Sequence, residues 1–243
     1  GDLAPPAADK IQCPHVPSAH IIPYPGAVGN VKSLCFLPYS LYNVGSTKKG
    51  AEGLKTLVII PAFNEQAAIV PFVEELKTVC PACDFVVIND CSRDATGALC
   101  RAHGYPTVNL PVNLGIGGAV QTGYLYALEN GYDAAVQMDG DGQHDPAYLM
   151  EIVQPVLNGE CDMCIGSRFI KKEGFQTSFM RRVGIRWLSG MIYLLCGKRV
   201  LDVTSGFRAT NAGMTAFFSR HYATDYPEPE AILAASLAGY HVG

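Results

Sequence analysis

Two aspartates separated by one glycine, Asp139 and Asp141, are the residues of this 243-residue sequence best suited to bind a metal ion. They follow a short apolar run that is typical of a buried strand, so both carboxylates are expected to point into one cleft. Carboxylate oxygens suit Mg²⁺ or Mn²⁺, which keep coordination positions open for substrate phosphates. Gln143 can add a neutral oxygen, and His144 a nitrogen if the ion is Mn²⁺. The alternative is a polar turn, since Asp and Gly favour turns.

Alternating strand and helix patterns, which begin near residue 54, would position these carboxylates. Short apolar runs predict strands at TLVIIPA, FVVIND, residues 107–110, AAVQMD and DMCIGSR. Apolar residues at helical spacing predict helices over residues 66–79, 95–103, 117–130 and 146–158. This alternation predicts an α/β domain with a mainly parallel sheet and helices on both faces.

The segments that follow the predicted strands are polar or rich in glycine. They are PAFNE, NDCSRD, NLGIGG, DGDGQHD and GSR. In parallel sheets, ligands bind beyond the carboxyl ends of the strands. The sequence therefore predicts a binding site built from these five segments.

Six motifs occur in a fixed order along the chain, and five of them include these segments. They are PAFNE, VVINDCSRDAT, NLGIGGAVQTGY, QMDGDGQHDP, IGSRF and DVTSGFRATN. Together they resemble the family 2 glycosyltransferases, in particular the branch that contains dolichol-phosphate mannose synthase and bacterial polyprenyl-phosphate glycosyltransferases. The resemblance covers roughly residues 54–243. It implies a GT-A fold, a nucleotide-sugar donor, a divalent metal ion and inversion at the anomeric carbon.

The resemblance also implies roles on the donor side of the site. The turn that cups the nucleobase and ribose would consist of Pro61, Ala62, Asn64 and Glu65. Asp90 would read the edge of the base, while its neighbour Asn89 replaces an aspartate common in the family and leaves the base open. The metal-binding triplet would be Asp139, Asp141 and Gln143.

Glycines at the start of a helix would let the backbone approach the donor diphosphate, because helix N-termini bind anions. These glycines are Gly115, Gly117 and Gly118. A structural tight turn is the alternative interpretation.

Arg168 matches an arginine thought to face phosphate in this branch, and Arg208 matches the family in a similar way. An arginine fork suits a phosphate acceptor or the departing diphosphate, and an ordinary surface salt bridge is the alternative for both residues. Asp202 would orient the acceptor or Arg208. Glu230 and Glu228 match acidic positions that would supply a general base, although either carboxylate would also be favoured at a helix start. A phosphate acceptor needs no base.

Composition excludes several classes of protein. A net charge of −4 argues against nucleic-acid binding. Nine cysteines in a chain of this length indicate reduced thiols in the cytoplasm, and the two C-x-x-C pairs, Cys80/Cys83 and Cys161/Cys164, are interpreted as ordinary buried thiols rather than a zinc site. We found neither a transmembrane run nor a signal peptide pattern.

Two further segments bear on organisation. Residues 1–53 are rich in proline and are predicted to be an arm or linker before a catalytic domain at 54–243. The stretch 181–198 has basic ends around an apolar helix pattern, which suits either a membrane interface or packing on the sheet. The predicted location is cytoplasmic, with peripheral contact at the inner face of a membrane.

These observations predict a metal-dependent inverting glycosyltransferase. The donor would be a UDP-, GDP- or dTDP-sugar, and the acceptor a lipid phosphate or a growing glycan. One alternative is a sugar-phosphate nucleotidyltransferase, but PAFNE lacks the glycine-rich basic loop expected there. The other is a regulatory domain that binds a nucleotide sugar without turnover, against which Asp139 and Asp141 speak.

Overall fold

A computed structural model describes residues 53–141, 144–166, 205–223 and 227–243. All of them belong to one compact unit, residues 44–243. The strands are β1 (Thr56–Ala62), β2 (Asp84–Asn89), β3 (Thr107–Asn109), β4 (Ala134–Gln137), β5 (Met163–Ile165) and β6 (Arg208–Asn211). The helices are α1 (Ile69–Val79), α2 (Thr96–Ala102), α3 (Gly115–Glu129), α4 (Leu149–Leu157), α5 (Ala212–Phe218) and α6 (Pro227–Leu237), with a 3₁₀ turn at Pro146–Tyr148 before α4.

The strands form one six-stranded sheet in the order β3-β2-β1-β4-β6-β5. Strands β1 to β4 pair in parallel, whereas β6 runs antiparallel to both of its neighbours. Because β6 reverses direction between β4 and β5, the last strand points the same way as β4. The carboxyl ends of five strands and the amino end of β6 therefore share one edge, which we call the carboxyl edge.

The sheet is buried on both faces, as the continuous apolar runs predicted. Along β1, Val58 and Ile60 pack in a cluster with residues of α1 and α4, while Leu57 and Ile59 pack with residues of α3, α5 and α6. All four side chains are fully buried. This two-sided burial is why the strand shows no polar alternation. None of the described helices is long and apolar enough to cross a membrane.

The predicted elements are confirmed, with shifted ends. Helix α1 begins at Ile69 rather than near residue 66, because the Glu65 carbonyl already accepts the amides of Ala68 and Ile69 in a preceding turn. Helix α3 begins at Gly115, two residues before the prediction. Strand β6 was not predicted, since RATN is short and half polar. Its discovery makes the sheet mixed at one side.

Candidate active site

The two aspartates lie at the carboxyl edge, directly beyond β4. The chain after this strand continues beside β1, because the Met138 amide donates to the Ile59 carbonyl at 3.0 Å and the Gly140 amide to the Pro61 carbonyl at 3.4 Å. Met138 is fully buried and alternates with the flanking polar residues. Strand alternation thus places Gln137 and Asp139 on one side of the sheet, the side covered by α3, α5 and α6.

Three neighbours hold Asp139. Its Oδ1 accepts a hydrogen bond from Gln137 Nε2 at 3.2 Å, and its backbone amide donates to His144 Nδ1 at 3.1 Å. Gly206 closes the third side, since a Cβ there would lie 2.9 Å from Asp139 Oδ2 and 3.0 Å from Gln137 Nε2. The carboxylate is nevertheless 32% exposed. The carboxylate is therefore held on the side of Gln137 and Gly206 and is open on the side of the cleft.

The side chain of His144 supports the turn that carries the two aspartates. The imidazole is buried and stacks on Phe207, with ring centroids 5.3 Å apart. Its Nδ1 already accepts the Asp139 amide, which places the proton of a neutral ring on Nε2. The expectation that His144 adds a nitrogen ligand is therefore wrong for Nδ1, because that lone pair holds the backbone of the aspartate turn.

Glu65, in the loop after β1, is influenced by the charges of the two aspartates. The pKa of Glu65 is raised by burial and by the negative charges of Asp141, Asp94 and Asp139. Hard oxygen donors gathered in this way suit Mg²⁺ or Mn²⁺, which combine one or two protein carboxylates with phosphate oxygens and water. Within the described ranges, no cluster of three or more His, Cys, Asp or Glu side chains is arranged to hold a metal ion. The donor chemistry fits a divalent cation shared with a phosphate ligand.

Hydrogen bonds join the loop after β1 to the loop after β2. Asn64 has a left-handed backbone with φ of 59°, its amide donates to Ser92 Oγ at 3.0 Å, and its Oδ1 accepts the Arg93 amide at 2.8 Å. The Glu65 amide donates to Thr96 Oγ1 at 2.9 Å. Asn64 therefore shapes the predicted donor turn from within, while Pro61 and Ala62 are the last residues of β1.

Asp90 and Asn89 are adjacent in sequence but have different hydrogen-bond partners. Asp90 is buried, and its Oδ1 accepts the Leu114 amide at 2.7 Å. The Asn89 carboxamide joins the end of β2 to the end of β3 and to its own loop, because its Nδ2 donates to Asn109 Oδ1 at 2.8 Å and its Oδ1 accepts the Ser92 amide at 3.2 Å. Asn89 is thus a structural residue, and its departure from the family aspartate bears on loop packing.

The predicted phosphate glycines lie in the first turn of α3. Gly115 has φ of +74°, which explains a glycine at that position. Gly117 and Gly118 are buried, and a Cβ on Gly118 would lie 2.5 Å from Leu114 Cβ. Packing alone accounts for Gly118, so its role toward a diphosphate stays a prediction.

Arg208 is fully buried at the amino end of β6, between Gln137 and Ile165 in register. Its Nη2 donates to the Ser205 carbonyl at 2.7 Å and its Nη1 to the Glu228 carbonyl at 3.4 Å, while Nε has no hydrogen-bond partner in the described structure. The alternative of a surface salt bridge is therefore wrong for this residue. Its proposed contact with phosphate stays a prediction.

The two candidate bases belong to the first turn of α6, not to a segment ahead of it. Glu228 is half-buried and Glu230 is exposed. The pKa of Tyr222 rises to about 12, mainly through burial; the charge of Arg208 lowers it, and those of Glu228 and Asp139 raise it. The charges of both Asp139 and Glu228 therefore act on Tyr222.

Several predicted residues lie outside the described residues, namely Gln143, Arg168, Asp202 and the stretch 181–198. Among the described cysteines, Cys80 Sγ lies 2.6 Å from Cys83 Sγ at the end of α1. Burial raises the pKa of Cys83 to about 12, so Cys83 is a protonated thiol at neutral pH.

Sequence reasoning missed three residues around Asp139: Gln137, Gly206 and Tyr222. The signal for Gln137 was a polar residue in a buried strand, two positions before the aspartate and so on the same face. Gly206 and Tyr222 carried no local signal, because they reach Asp139 only through the fold.

Comparison with known proteins identifies the family. The family model described as glycosyl transferase family 2 matches residues 57–222. The chain is 35% identical over 169 residues to the undecaprenyl-phosphate mannosyltransferase of Micrococcus luteus, covering 65% of this chain and 67% of that protein. It is 32% identical over 165 residues to the polyprenol monophosphomannose synthase of Mycolicibacterium smegmatis, covering 64% of this chain and 61% of that protein. The chain therefore spans roughly two thirds of the length of these relatives.

The architecture also matches solved structures. The glucosyl-3-phosphoglycerate synthase from Mycobacterium tuberculosis in complex with UDP superposes with a TM-score of 0.60 at 21% identity, covering 76% of this chain and 66% of that chain. This similarity confirms the predicted GT-A fold. With the family model matched over more than half of its residues, the chain belongs to glycosyl transferase family 2, in the polyprenyl-phosphate branch that its ordered motifs predicted.

Proposed function

We propose that this chain transfers a sugar from a nucleotide-sugar donor to a lipid-phosphate acceptor, with inversion at the anomeric carbon. Asp139 and Asp141 would bind the Mg²⁺ or Mn²⁺ that accompanies the donor diphosphate. The observation that carries the proposal is the position of Asp139 and Asp141 directly beyond β4, at the carboxyl edge of a family 2 domain. Relatives named for undecaprenyl phosphate and polyprenol phosphate support the acceptor class.

The donor would lie across the carboxyl ends of β1, β2 and β4. The turn around Asn64, which is hydrogen-bonded to the loop after β2, would support the ribose, and Asp90 would contact the base. The Leu114 amide already binds Asp90 Oδ1, so only part of this carboxylate is available to a ligand. Because both polar atoms of the Asn89 side chain are already hydrogen-bonded within the protein, this residue does not select among the uracil, guanine and thymine donors.

In the transfer step, an oxygen of the acceptor phosphate would form a bond to the anomeric carbon while the bond from that carbon to the diphosphate breaks. A bound divalent cation would stabilise the charge on the departing diphosphate. The phosphate nucleophile is already ionised, so no protein base is required. If the acceptor were a glycan hydroxyl, Glu228 would be better placed than the exposed Glu230 to take the proton, since Glu228 is half-buried, its charge acts on Tyr222 and its backbone carbonyl accepts Arg208 Nη1.

A lipid-phosphate acceptor would bring the site to a membrane surface, on the cytoplasmic side if the donor is a cytoplasmic nucleotide sugar. The predicted contact is the basic and apolar stretch 181–198. Binding to vesicles that contain a polyprenyl phosphate, compared with vesicles that lack it, tests this part.

Calorimetry tests the donor site directly. UDP-, GDP- and dTDP-sugars would be titrated with and without Mn²⁺ into the wild-type chain, Asp141→Ala and Glu129→Ala. Glu129 is an exposed carboxylate at the far end of α3, so its variant is the matched control. We expect metal-dependent binding of one nucleotide class, weakened at least about tenfold in Asp141→Ala and unchanged in Glu129→Ala. Absence of binding by a folded wild-type chain would refute the proposal.

A further inference from the structure

A short chain of hydrogen bonds runs behind Asp139. Tyr222 OH lies 3.3 Å from Gln137 Oε1, and Gln137 Nε2 lies 3.2 Å from Asp139 Oδ1. An ionised carboxylate only accepts hydrogen bonds, so the amide nitrogen of Gln137 must face Asp139 and its oxygen must face Tyr222. The tyrosine hydroxyl must then donate. The donor and the acceptor of each of these two hydrogen bonds are therefore determined.

Both intermediate groups are held in place. Gln137 is only 1% exposed and is the last residue of β4, paired with Ile59 and Arg208. The Tyr222 ring packs edge-on against Tyr124 and Phe218, at centroid distances of 5.4 Å and 5.1 Å. The hydroxyl position is therefore set by a packed aromatic cluster, and the amide position by the sheet.

The exposure of Asp139 explains why its carboxylate needs such support. The side chain is 32% exposed, and a carboxylate with an open side can turn between rotamers. The Gly206 backbone lies so close to it that a Cβ there would be 2.9 Å from Asp139 Oδ2. A donor aimed at Oδ1 favours one rotamer and leaves the remaining lone pairs toward the cleft.

We propose that Gln137 and Tyr222 are positioning residues, which orient the Asp139 carboxylate for the divalent cation through this hydrogen-bond chain. The inference rests on the proposed metal-dependent donor site. It assigns to Tyr222, 83 positions along the chain from Asp139, a function in metal affinity that its place in an aromatic cluster does not suggest. The competing explanation is that the hydrogen bonds only satisfy buried polar groups, in which case they affect folding and not metal binding.

A double-mutant cycle separates these explanations. The variants are Gln137→Met, which keeps the length and removes the amide, Tyr222→Phe, which removes only the hydroxyl, and the two combined. The matched control is Tyr132→Phe, since the Tyr132 hydroxyl donates to Asp84 Oδ2 at 3.1 Å at the opposite edge of the sheet. Mn²⁺ affinity is measured by the electron paramagnetic resonance signal of free Mn²⁺, with UDP, GDP or dTDP present. Thermal unfolding without metal is recorded in parallel.

We expect Gln137→Met to weaken Mn²⁺ binding about tenfold, the effect of losing one hydrogen bond to a charged group. Tyr222→Phe should weaken it about threefold, because the amide then loses only its anchor. The double variant should match Gln137→Met alone. Equal Mn²⁺ affinity in Tyr222→Phe and wild type, or additive effects, would overturn the inference while leaving the donor site intact. Failure of the wild-type chain to bind Mn²⁺ with any nucleotide would overturn both. If Gln137→Met does not fold, Tyr222→Phe alone decides.

Discussion

Replacing Gly206 with alanine should weaken metal binding without unfolding the protein. The added methyl carbon would lie 2.9 Å from Asp139 Oδ2 and 3.0 Å from Gln137 Nε2. An ordinary contact is about 3.5 Å, so these groups must retreat by roughly 0.5 Å. The Gln137–Asp139 hydrogen bond is already 3.2 Å long and would not survive that movement.

The magnitude follows from the bond that is lost. A hydrogen bond to a charged group contributes about 1.5–3 kcal/mol, which corresponds to roughly tenfold to a hundredfold weaker Mn²⁺ binding if the bond serves only to position the carboxylate. Stability should change less, because the Asp139 side chain is 32% exposed and can move into the cleft. We expect a loss below about 1 kcal/mol in the free energy of unfolding.

Gly123→Ala is the control with the opposite pattern. A Cβ at Gly123 would lie 2.1 Å from Ile59 Cγ2, inside a fully buried contact between α3 and β1. Overpacking of this kind costs about 1–3 kcal/mol of stability. It should weaken Mn²⁺ binding less than Gly206→Ala does, because the three atoms nearest the new methyl group all belong to Ile59 and none to a carboxylate. Calorimetric Mn²⁺ titration and urea unfolding of both variants provide the comparison. If Gly206→Ala bound Mn²⁺ as tightly as the wild-type chain, the position of Asp139 would not determine metal affinity.

Three further predictions concern the residues that shape the loops and the opposite edge. Asn89→Asp should change the free energy of unfolding by less than about 1 kcal/mol, because the Asn109 carboxamide can turn its nitrogen toward the new carboxylate. When Asn109→Asp is added to that variant, two carboxylates face each other, and urea unfolding should show a clearly larger loss of stability. The pKa of Asp94 is lowered, since hydrogen bonds from neighbouring side-chain and backbone donors outweigh its burial. Its stabilisation is therefore present above its unfolded pKa and disappears as the pH falls through the lowered folded value, so the melting temperatures of wild type and Asp94→Asn should differ at pH 7 and converge in acid. Tyr105→Phe should return the lowered pKa of Glu74 toward its ordinary range, because the Tyr105 hydroxyl donates to that carboxylate at 2.7 Å, and carboxyl carbon NMR would report it.

The sequence predicted those parts of the fold in which neighbouring residues determine the structure. Strands β1 and β2 are buried on both faces, so their apolar runs were sufficient evidence. The starts of helices were less predictable, since α1 is delayed by hydrogen bonds from the Gln66 region to the loop after β2. Strand β6 escaped detection because its buried residues include Arg208 and Thr210, whose hydrogen-bond partners include the distant residues Glu228 and Ala135.

In the candidate site, too, some residues could be predicted from their neighbours in the sequence, whereas others depend on contacts with distant residues. Asp139 and Asp141 were predictable because a buried strand and a polar turn are adjacent in sequence, and parallel strands bring their carboxyl ends together. Burial of Arg208 was not predictable, since its carbonyl partners at Ser205 and Glu228 depend on where β6 enters the sheet. Motifs therefore identify the groups that can meet a ligand, whereas the groups that support them emerge from packing.

This division has a consequence for how the site would bind a cation. Burial, and then the negative charges of Asp141, Asp94 and Asp139, raise the pKa of Glu65, so a bound cation would relieve charge repulsion around that residue. Gln137, His144 and Gly206 fix Asp139 before any metal ion arrives, which lowers the ordering cost of binding. Asp141 is exposed and lies on the loop rather than beside the strand. Asp139 should therefore act as the preformed ligand and Asp141 as the ligand that adjusts, so that the affinity of the site depends most on the buried partners of Asp139.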